Sequence, residues 1–419
     1  MEAQIKESTD SYCVIEIKVP YSSTMLSTEE NIQQSLNEAG KLATKCALSR
    51  FDTDGSPIKV AKIRYTSKGL SAKYYQTPYG DVYLQRHVYQ SSSGGATYCP
   101  LDHSANIVVS STPKFAKMVS SKYSRGGSAE VQKDLSENHN RHVARSYIQN
   151  LSQAVGDIIE SRPSWTYAIP VSAHLVLFVA ISLDGTCMLL CDDGGYRQAM
   201  VGSISLYNSD GERLYTRYTA MPPEHGKGRF YETFTRDIKS VKRLYPNAKY
   251  IGVADGAADN WTFLNQHTGI QVLDFFHACE YLTKVSNAAF KRPFEGKAWL
   301  EKSRHTLKKE ENGAEELLKE MKSFLKKRIK QVKKDMIQTA ITYFENQMER
   351  MDYENYCKDN IPIGSGVIEA ACKVIIKQRL CQSGMKWTDT GAKTVLALRC
   401  LNESDNMWKQ FWDKISNIV

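Results

Sequence analysis

The chain has 419 residues, of which 42% are hydrophobic and 24% are charged. This length is too great for one ordinary core and predicts two to four domains. Its formal net charge of +9 favours a polyanionic partner. The longest apolar stretch, 175–183, is shorter than the roughly 20 residues of a membrane span, and ten scattered cysteines without a C-x-x-C pair predict reduced thiols. We therefore expect a cytoplasmic protein with no membrane partner.

The N-terminal region, 1–110, is predicted to be α+β. An amphipathic helix pattern covers 27–51 and is followed by the turn-rich segment TDGSP. The segment DVYLQRHVYQ alternates and is rich in β-forming residues, which predicts a strand. The segment SSSGGATYCPLD after it has the composition of a loop.

The next region, 111–165, is predicted to be a helix-turn-helix DNA-binding domain. Its helical segments place apolar side chains where two helices and a turn would enclose a small core, at Ala129, Val131, Leu135, Val143, Ile148 and Leu151. The second helix offers side chains that read bases or phosphates, namely Arg141, Arg145, Gln149 and Asn150. Two packed helices that only join domains are the alternative.

The central region, 166–290, is predicted to be α/β. Three strand patterns come first, HLVLFVAISLDGTCMLL, RQAMVGSISLYN and RLYTRYTAM, with the hairpin signal NSDGE before the third. Helix RFYETFTRDIKSVKRLY, strand KYIGVAD, helix NWTFLNQH, strand IQVLDFF and helix HACEYLTKVSNAAF follow. This is the element order of a ribonuclease-H-like catalytic core, in which the first and fourth strands are neighbours.

A charged helical insertion is predicted over 291–356, and the C-terminal part of the core over 357–419. The insertion contains the run KSFLKKRIKQVKKDMIQ, in which Lys326, Lys327 and Lys330 could follow a phosphate backbone. A solvated helix face is the commoner explanation of such a run.

Three carboxylates are the candidate catalytic and metal-binding residues. Asp184 in FVAISLDGT and Asp255 in YIGVADGAADNW end apolar runs, and Glu369 in IPIGSGVIEAACK follows a glycine turn that opens a helix. A carboxylate at the end of a buried strand needs a cation or a donor, and a few carboxylates can hold two Mg²⁺ or Mn²⁺ ions around a phosphate. Turn residues are the alternative for both aspartates, and Asp259 is the alternative ligand or a helix N-cap.

Other side chains are predicted to surround this site. Lys373, Lys377 and Arg379 follow Glu369 and could hold DNA phosphates. His277 begins a helix, either as a phosphate donor or as a buried partner of Asp274. The two tryptophans that belong to the core or stack on an unpaired base are Trp261 and Trp387.

A family resemblance spans nearly the whole chain. The ordered series FDTDGSPI, YQTPYGDV, CPLD, STPKFAK, NHNRHVARSY, ISLDGT, GVADGAADNW, DFFHACEYL, IPIGSGVIEAACK and RLCQSGMKW resembles the ISKra-type DDE transposases of bacterial insertion sequences. The resemblance implies a ribonuclease-H-like core with the catalytic triad Asp184, Asp255 and Glu369, and makes His277 an auxiliary catalytic residue. The cysteines of a zinc ribbon are missing near SSSGGATYCP.

The resemblance also implies partners and a cofactor. We expect two Mg²⁺ or Mn²⁺ ions in each active site, and double-stranded DNA as both terminal inverted repeats and target. We further expect a homo-oligomer on DNA, in the bacterial cytoplasm at the nucleoid. Two alternatives remain open, a DNA-binding protein that no longer cuts and a nuclease that cuts without joining.

Overall fold

The computed structural model describes residues 3–169, 174–191 and 195–417. The strands, in chain order, are β1 (Ala3–Ser8), β2 (Cys13–Ile17), β3 (Ile58–Val60), β4 (Ile63–Thr77), β5 (Gly80–Ser91), β6 (Gly94–Tyr98), β7 (Phe178–Leu189), β8 (Tyr196–Tyr207), β9 (Arg213–Met221), β10 (Lys249–Ala254) and β11 (Ile270–Leu273). They form a two-stranded, a four-stranded and a five-stranded sheet.

Helices connect and cover these sheets. They are α1 (Met25–Ser49), α2 (Pro100–Ser104), α3 (Pro113–Arg125), α4 (Ser128–His139), α5 (Arg145–Ser161), α6 (Gly228–Leu244), α7 (Ala258–Leu264), α8 (Phe275–Ala289), α9 (Pro293–Lys309), α10 (Gly313–Leu325), α11 (Gln331–Gln347), α12 (Tyr353–Lys358), α13 (Gly366–Ala371), α14 (Gln378–Leu380), α15 (Asp389–Glu403) and α16 (Met407–Ser416). A π-helix, Cys372–Lys377, joins α13 to α14. Among the described residues, no helix has both the length and the apolar content needed to cross a membrane.

The chain divides into two compact units. The first contains Met1–Tyr167 and Met407–Val419, and the second contains Ala168–Asn406. The predicted regions 1–110 and 111–165 therefore share one unit. Helix α16, which the sequence assigned to the catalytic core, instead belongs to the first unit, where the ring of Phe411 packs edge-on against that of Trp165 at 6.0 Å between centroids.

The first unit contains an antiparallel sheet with order β3-β4-β5-β6, and helix α1 packs against β5. The predicted loop after β5 is wrong, because β6 and α2 lie in it. Two glycines make the tight β5–β6 turn possible: Gly94 and Gly95 have φ of +80° and +92°, a region that other residues avoid. Proline at the first position of α2 then suits a helix start.

Helices α3, α4 and α5 pack together in the first unit. Four of the predicted core positions are almost fully buried, namely Val131, Leu135, Ile148 and Leu151, and Val143 is also buried. Ala129 is exposed, so its assignment to the core was wrong. The second predicted helix starts later than expected, at Arg145, because Asn140 ends α4 in the left-handed conformation and an extended segment follows.

The second unit is built on a five-stranded sheet of order β11-β10-β7-β8-β9. Strands β7, β8 and β9 are antiparallel neighbours, and β10 and β11 continue the sheet in parallel with β7. The α/β class predicted from the sequence is confirmed, and the predicted neighbours β7 and β10 are paired.

Apolar side chains on both faces of this sheet form a continuous core with the surrounding helices. Helix α6 buries Phe230, Phe234, Ile238 and Val241, and its approach to β8 requires a glycine. A Cβ atom on Gly202 would lie 2.6 Å from the Cζ atom of Phe234. Helices α9 to α11 of the predicted insertion pack on α8 or on one another, so the insertion is continuous with the core.

Strand β7 differs from the prediction at Asp184. The Asp-Gly pair forms neither a turn nor a strand end, because β7 continues to Leu189 and pairs with β8 throughout, with Asp184 opposite Val201. Only the pairing with β10 stops, at Ile181. Asp184 therefore lies where β7 has lost one neighbour and kept the other.

Candidate active site

Asp184 and Asp255 lie side by side at the edge where β7 and β10 separate. The last paired residues of these parallel strands are Ile181 and Gly252, and each aspartate is three residues further along (181 to 184 and 252 to 255). Both side chains are half-buried, and they line one concavity of about 400 Å³. The equal offset brings the two carboxylates to the same level of the sheet.

Asn260 links these two strands. Its buried amide nitrogen lies 3.4 Å from the carbonyl oxygen of Leu183 and 3.3 Å from Oδ1 of Asp255. The backbone N–H of Ala257 also donates to Asp255 Oδ1, at 3.2 Å. On the neighbouring strand, the Gly185 N–H donates to Asp184 Oδ1 at 2.6 Å. Hydrogen bonds therefore orient both carboxylates.

Helix α11 of the insertion holds the turn that carries Asp255. The hydroxyl of Tyr343 donates to the carbonyl oxygen of Asp255 at 2.8 Å, and the amide of Gln347 donates to that of Gly256 at 3.1 Å. Gly256 has φ of +105°, and a Cβ atom there would lie 3.1 Å from the Tyr343 ring. The turn thus depends on glycine both for its conformation and for its close contact with the helix.

Asp259 is not the helix N-cap, because α7 starts at Ala258 and is capped by Ala257. Its side chain is largely exposed and lies 3.8 Å from the ammonium of Lys227. Asp255 is more enclosed and continues the strand directly, which keeps it as the preferred candidate.

Glu369 lies in a second concavity, of about 740 Å³, which it shares with Asp184. Its helix, α13, runs directly into the π-helix, a rare conformation that recurs at functional sites. The first residue of that π-helix, Cys372, donates from Sγ to Asp184 Oδ2 at 3.5 Å. Burial, and then the charge of Asp184, raise the pKa of this thiol to about 12. Asp184 thus lines both concavities, with Asp255 on one side and Glu369 on the other.

Glu369 is also close to His277 and Asp274. The Nδ1 atom of His277 lies 3.2 Å from Asp274 Oδ1 and 4.0 Å from Glu369 Oε1. In the described part of the chain, these three residues form the one group of three possible metal ligands whose donor atoms lie within 4.8 Å of one another. The expected cluster of Asp184, Asp255 and Glu369 is more open.

Asp274 is the structural centre of that group. Its carboxylate is fully buried and accepts the N–H of His277 at 2.6 Å, as the N-cap of α8, together with the N–H of Ser365. The hydroxyl of Ser365 donates to Glu369 Oε1 at 2.8 Å. The pairing of His277 with Asp274, one of the two sequence interpretations, is therefore present, and Ser365 links it to the candidate catalytic glutamate.

Some predicted DNA-binding residues of the second unit are placed to contact a ligand, and others are not. Lys373 and Lys377 are exposed and line the Glu369 concavity. Arg379, by contrast, is 1% exposed, with its guanidinium 5.0 Å from the centre of the Trp387 ring. The assignment of Arg379 to DNA binding was wrong, because its guanidinium packs against the half-buried Trp387 and is not accessible to DNA.

Trp261 is likewise buried, and the Arg350 guanidinium covers its ring at 4.7 Å. The core interpretation of this tryptophan is confirmed, and base stacking is excluded in this conformation. Lys326, Lys327 and Lys330 are exposed, but they lie in the connection between α10 and α11 rather than on a continuous helix.

In the first unit, Arg141 was wrongly assigned to DNA binding. It is 5% exposed, and its Nη2 atom donates to Asp81 Oδ1 at 2.7 Å and to Gln76 Oε1 at 2.5 Å. The remaining three candidates of this unit are exposed on α5, namely Arg145, Gln149 and Asn150.

The two concavities offer hard carboxylate oxygens with lysines beside them, a combination suited to a divalent cation and a phosphate. The residues that sequence reasoning missed are the ones that hold the site together: Asn260, Tyr343, Gln347 and Ser365. The pairing of Asn260 with Asp255, five residues apart, is the contact a sequence pattern could have suggested, as a helix-start hydrogen bond. No protein-family model matches the chain, nor does any curated protein sequence.

Proposed function

We propose that the chain is a DDE transposase with a ribonuclease-H-like catalytic core. It binds terminal inverted repeats, cuts DNA with two divalent metal ions and joins the 3′ ends to target DNA. The observation that carries the proposal is that Asp184 lines two neighbouring concavities. It shares one of them with Asp255, at the end of the parallel strand β10, and the other with Glu369. The strand order β11-β10-β7-β8-β9 supports it, because three antiparallel strands with two parallel strands added beside the first are expected of that core.

The donor set fits Mg²⁺ or Mn²⁺ better than a soft metal. Asp184, Asp255 and Glu369 offer only carboxylate oxygen, and two ions about 4 Å apart can join carboxylates that do not touch one another. The ions would activate the attacking oxygen and stabilise the charge on the departing 3′ oxygen. The Glu369 side chain is 51% exposed, so it can turn toward Asp184 if it gives up its hydrogen bond from the Ser365 hydroxyl.

The chain's own residues would position the substrate. Lys373 and Lys377 neutralise phosphates beside the cut, since both line the same concavity as Asp184 and Glu369. The His277 imidazole, held by Asp274, is an additional donor for a phosphate oxygen. Three exposed side chains of α5 would bind the inverted repeats: Arg145, Gln149 and Asn150.

Plasmid cleavage tests this proposal. The substrate is a supercoiled plasmid that carries the DNA flanking this gene with its inverted repeats, and the parent protein is compared with Asp255→Asn in Mg²⁺. Cuts at the repeat ends by the parent alone, followed by joined products, are expected. Binding to the repeats by both proteins without any cut would instead establish a DNA-binding protein, and cuts without joined products would establish a nuclease.

We also propose that the protein acts as a homo-oligomer on paired DNA ends, at the nucleoid in the bacterial cytoplasm. Two ends must be cut and joined together, and each catalytic site serves one strand at a time. Light scattering of the complex with paired ends is expected to give at least two subunits. A single subunit in that complex would refute this part of the proposal.

A further inference from the structure

A concavity of about 1780 Å³ in the second unit opens along helix α6. It continues directly from the smaller concavity that holds Asp184 and Asp255, because Gln198, Lys227 and Asp259 line both. None of the DNA-binding residues predicted from the sequence lies in it. This α6 groove therefore leads to the candidate catalytic carboxylates from a side that the sequence did not suggest.

Helix α6 has two opposite faces. The buried face carries Phe230, Phe234, Ile238 and Val241, and the face on the groove carries Arg236, Lys239, Lys242 and Arg243. With cations from β8 and from the turn before α6, the groove has six basic side chains against three carboxylates; these six are Arg197, Lys227, Arg236, Lys239, Lys242 and Arg243.

One groove carboxylate, Asp259, lies 3.8 Å from Lys227, and the other nearby acids form no ion pair with Arg236, Lys239 or Arg243. Glu224 already accepts the Arg229 guanidinium at 2.8 Å and the Phe230 N–H at 3.0 Å. Asp237 points to the opposite side of α6, where Arg217 and Thr219 each donate to it at 2.6 Å. Within the described residues, Arg236, Lys239 and Arg243 have neither an ion pair nor a hydrogen-bond partner for their side chains, and all three are exposed.

The neighbouring His267 responds to this positive field. Its Nε2 atom lies 3.3 Å from the hydroxyl of Thr235, which lines the groove. Burial lowers the pKa of His267, and the ammonium groups of Lys242 and Lys239 lower it further. The groove is therefore a concave surface in which an anion is favoured, whereas a merely solvated helix face is convex and interspersed with acids.

We propose that the α6 groove binds the sugar-phosphate backbone of the DNA that leads to the cut site. This inference rests on the proposed function for the identity of the polyanion. Arg236 and Arg243 are seven residues apart, or roughly 10 Å along the helix at 1.5 Å per residue. Three base-pair steps of B-DNA, each with a rise of about 3.4 Å along the DNA axis, cover the same length, so three phosphates of one strand can lie beside this face. One phosphate for each of Arg236, Lys239 and Arg243 follows from this match.

The salt dependence of DNA binding tests the groove. The variant R236Q/K239Q/R243Q is compared with the parent and with K297Q/K302Q/K309Q, which removes the same charge from exposed positions of α9 in the same unit. Fluorescence anisotropy follows binding of a labelled duplex oligonucleotide and a labelled single strand in EDTA, so that no cutting occurs. Circular dichroism melting verifies that all variants fold.

The slope of log K against log salt concentration is expected to become shallower by about 3 on duplex, or about 2 on single strand, for the α6 variant alone. A change with the duplex alone, or with the single strand alone, identifies the form of DNA in the groove and supports the inference. Equal slopes for the α6 variant and the parent, or an equal change in the α9 variant, would overturn it.

The two proposals fail separately. A parent that cuts the plasmid while the α6 variant keeps the parental slope leaves the transposase proposal intact and refutes the groove. A parent that never cuts, but whose salt slope depends on Arg236, Lys239 and Arg243, refutes the transposase and supports the groove as a site for DNA phosphates.

Discussion

The hydroxyl of Tyr343 on α11 donates a 2.8 Å hydrogen bond to the carbonyl oxygen of Asp255, 88 residues earlier in the chain. The insertion is therefore a structural support for the candidate catalytic turn. Tyr343 also stacks on Tyr281 of α8, with ring centroids 3.8 Å apart, so its ring is held from the other side.

Tyr343→Phe is expected to keep this stack and lose only the hydrogen bond. The free energy of unfolding should fall by about 1 kcal/mol, because the half-buried carbonyl of Asp255 loses its donor. DNA cleavage should fall as well, since the carboxylate is less well oriented. Urea denaturation and plasmid cleavage measure the two effects. Tyr281→Phe is the matched control, and an equal loss in that variant would contradict a specific role for the Tyr343 hydroxyl.

The two aspartates of this site can be predicted from the sequence, because the residues next to them in the chain carry the signal. Asp184 and Asp255 each follow an apolar strand pattern, and the paired strands carry them to the same level with an identical offset. Tyr343 and Gln347 have no such signal, because they reach Asp255 and Gly256 through the packing of α11, which four other helices separate from that turn in the chain.

Contacts between residues far apart in the chain also explain the wrong predictions for basic side chains. Arg141 and Arg379 have the residue type of DNA contacts, but the structure buries both. The partner that accounts for Arg141, Asp81, lies 60 residues away and belongs to another element of the same unit. Conversely, the sequence predicted the helix α6 but not the role of its basic face. That face lies near Asp255 only because the sheet brings the two together.

Arg141 and Arg145 are expected to behave oppositely. Arg141→Ala should destabilise the protein by about 2 kcal/mol, because it removes charge-assisted hydrogen bonds to Gln76 and Asp81. Arg145→Ala should change stability by less than about 0.5 kcal/mol and weaken binding to the inverted repeats about tenfold. Denaturation and anisotropy are measured on both variants. Tight repeat binding by Arg145→Ala would count against the role proposed for α5.

Divalent metal is expected to stabilise the parent protein. Carboxylates that face shared concavities repel one another, and an ion that binds the folded state shifts unfolding by mass action. At a metal concentration about ten times Kd, the gain is about 1.4 kcal/mol, or roughly 3 to 5 °C in Tm for a unit of this size.

Differential scanning fluorimetry with Mg²⁺ and with Mn²⁺ measures this shift. Glu369→Gln should lose much of it, whereas Glu316→Gln, at an exposed position of α10, should keep it. An unchanged Tm of the parent in saturating metal would contradict a metal site formed by these carboxylates.

Stability is expected to fall at alkaline pH, in part through Cys400. Burial raises the pKa of this thiol from 9.0 to about 12. Between these values the folded protein keeps a proton that the unfolded chain releases, so the free energy of unfolding falls as pH rises, by up to about 1.4 kcal/mol per pH unit. Cys400→Ala should flatten this dependence in urea denaturation between pH 9 and pH 11, and Cys187→Ala, at an exposed thiol, should not. Identical slopes for the two variants would argue against it.

The most direct test of the central claim exchanges the ligand chemistry at Asp255. A thiolate is a poor ligand for Mg²⁺ and a better one for Mn²⁺, so Asp255→Cys should cut the plasmid about 100-fold more slowly than the parent in Mg²⁺ and regain activity in Mn²⁺. Asp259→Cys, four residues away and largely exposed, should cut like the parent in both metals. Parental cleavage by Asp255→Cys in Mg²⁺, or the same metal switch in Asp259→Cys, would contradict the assignment of Asp255 as a catalytic metal ligand.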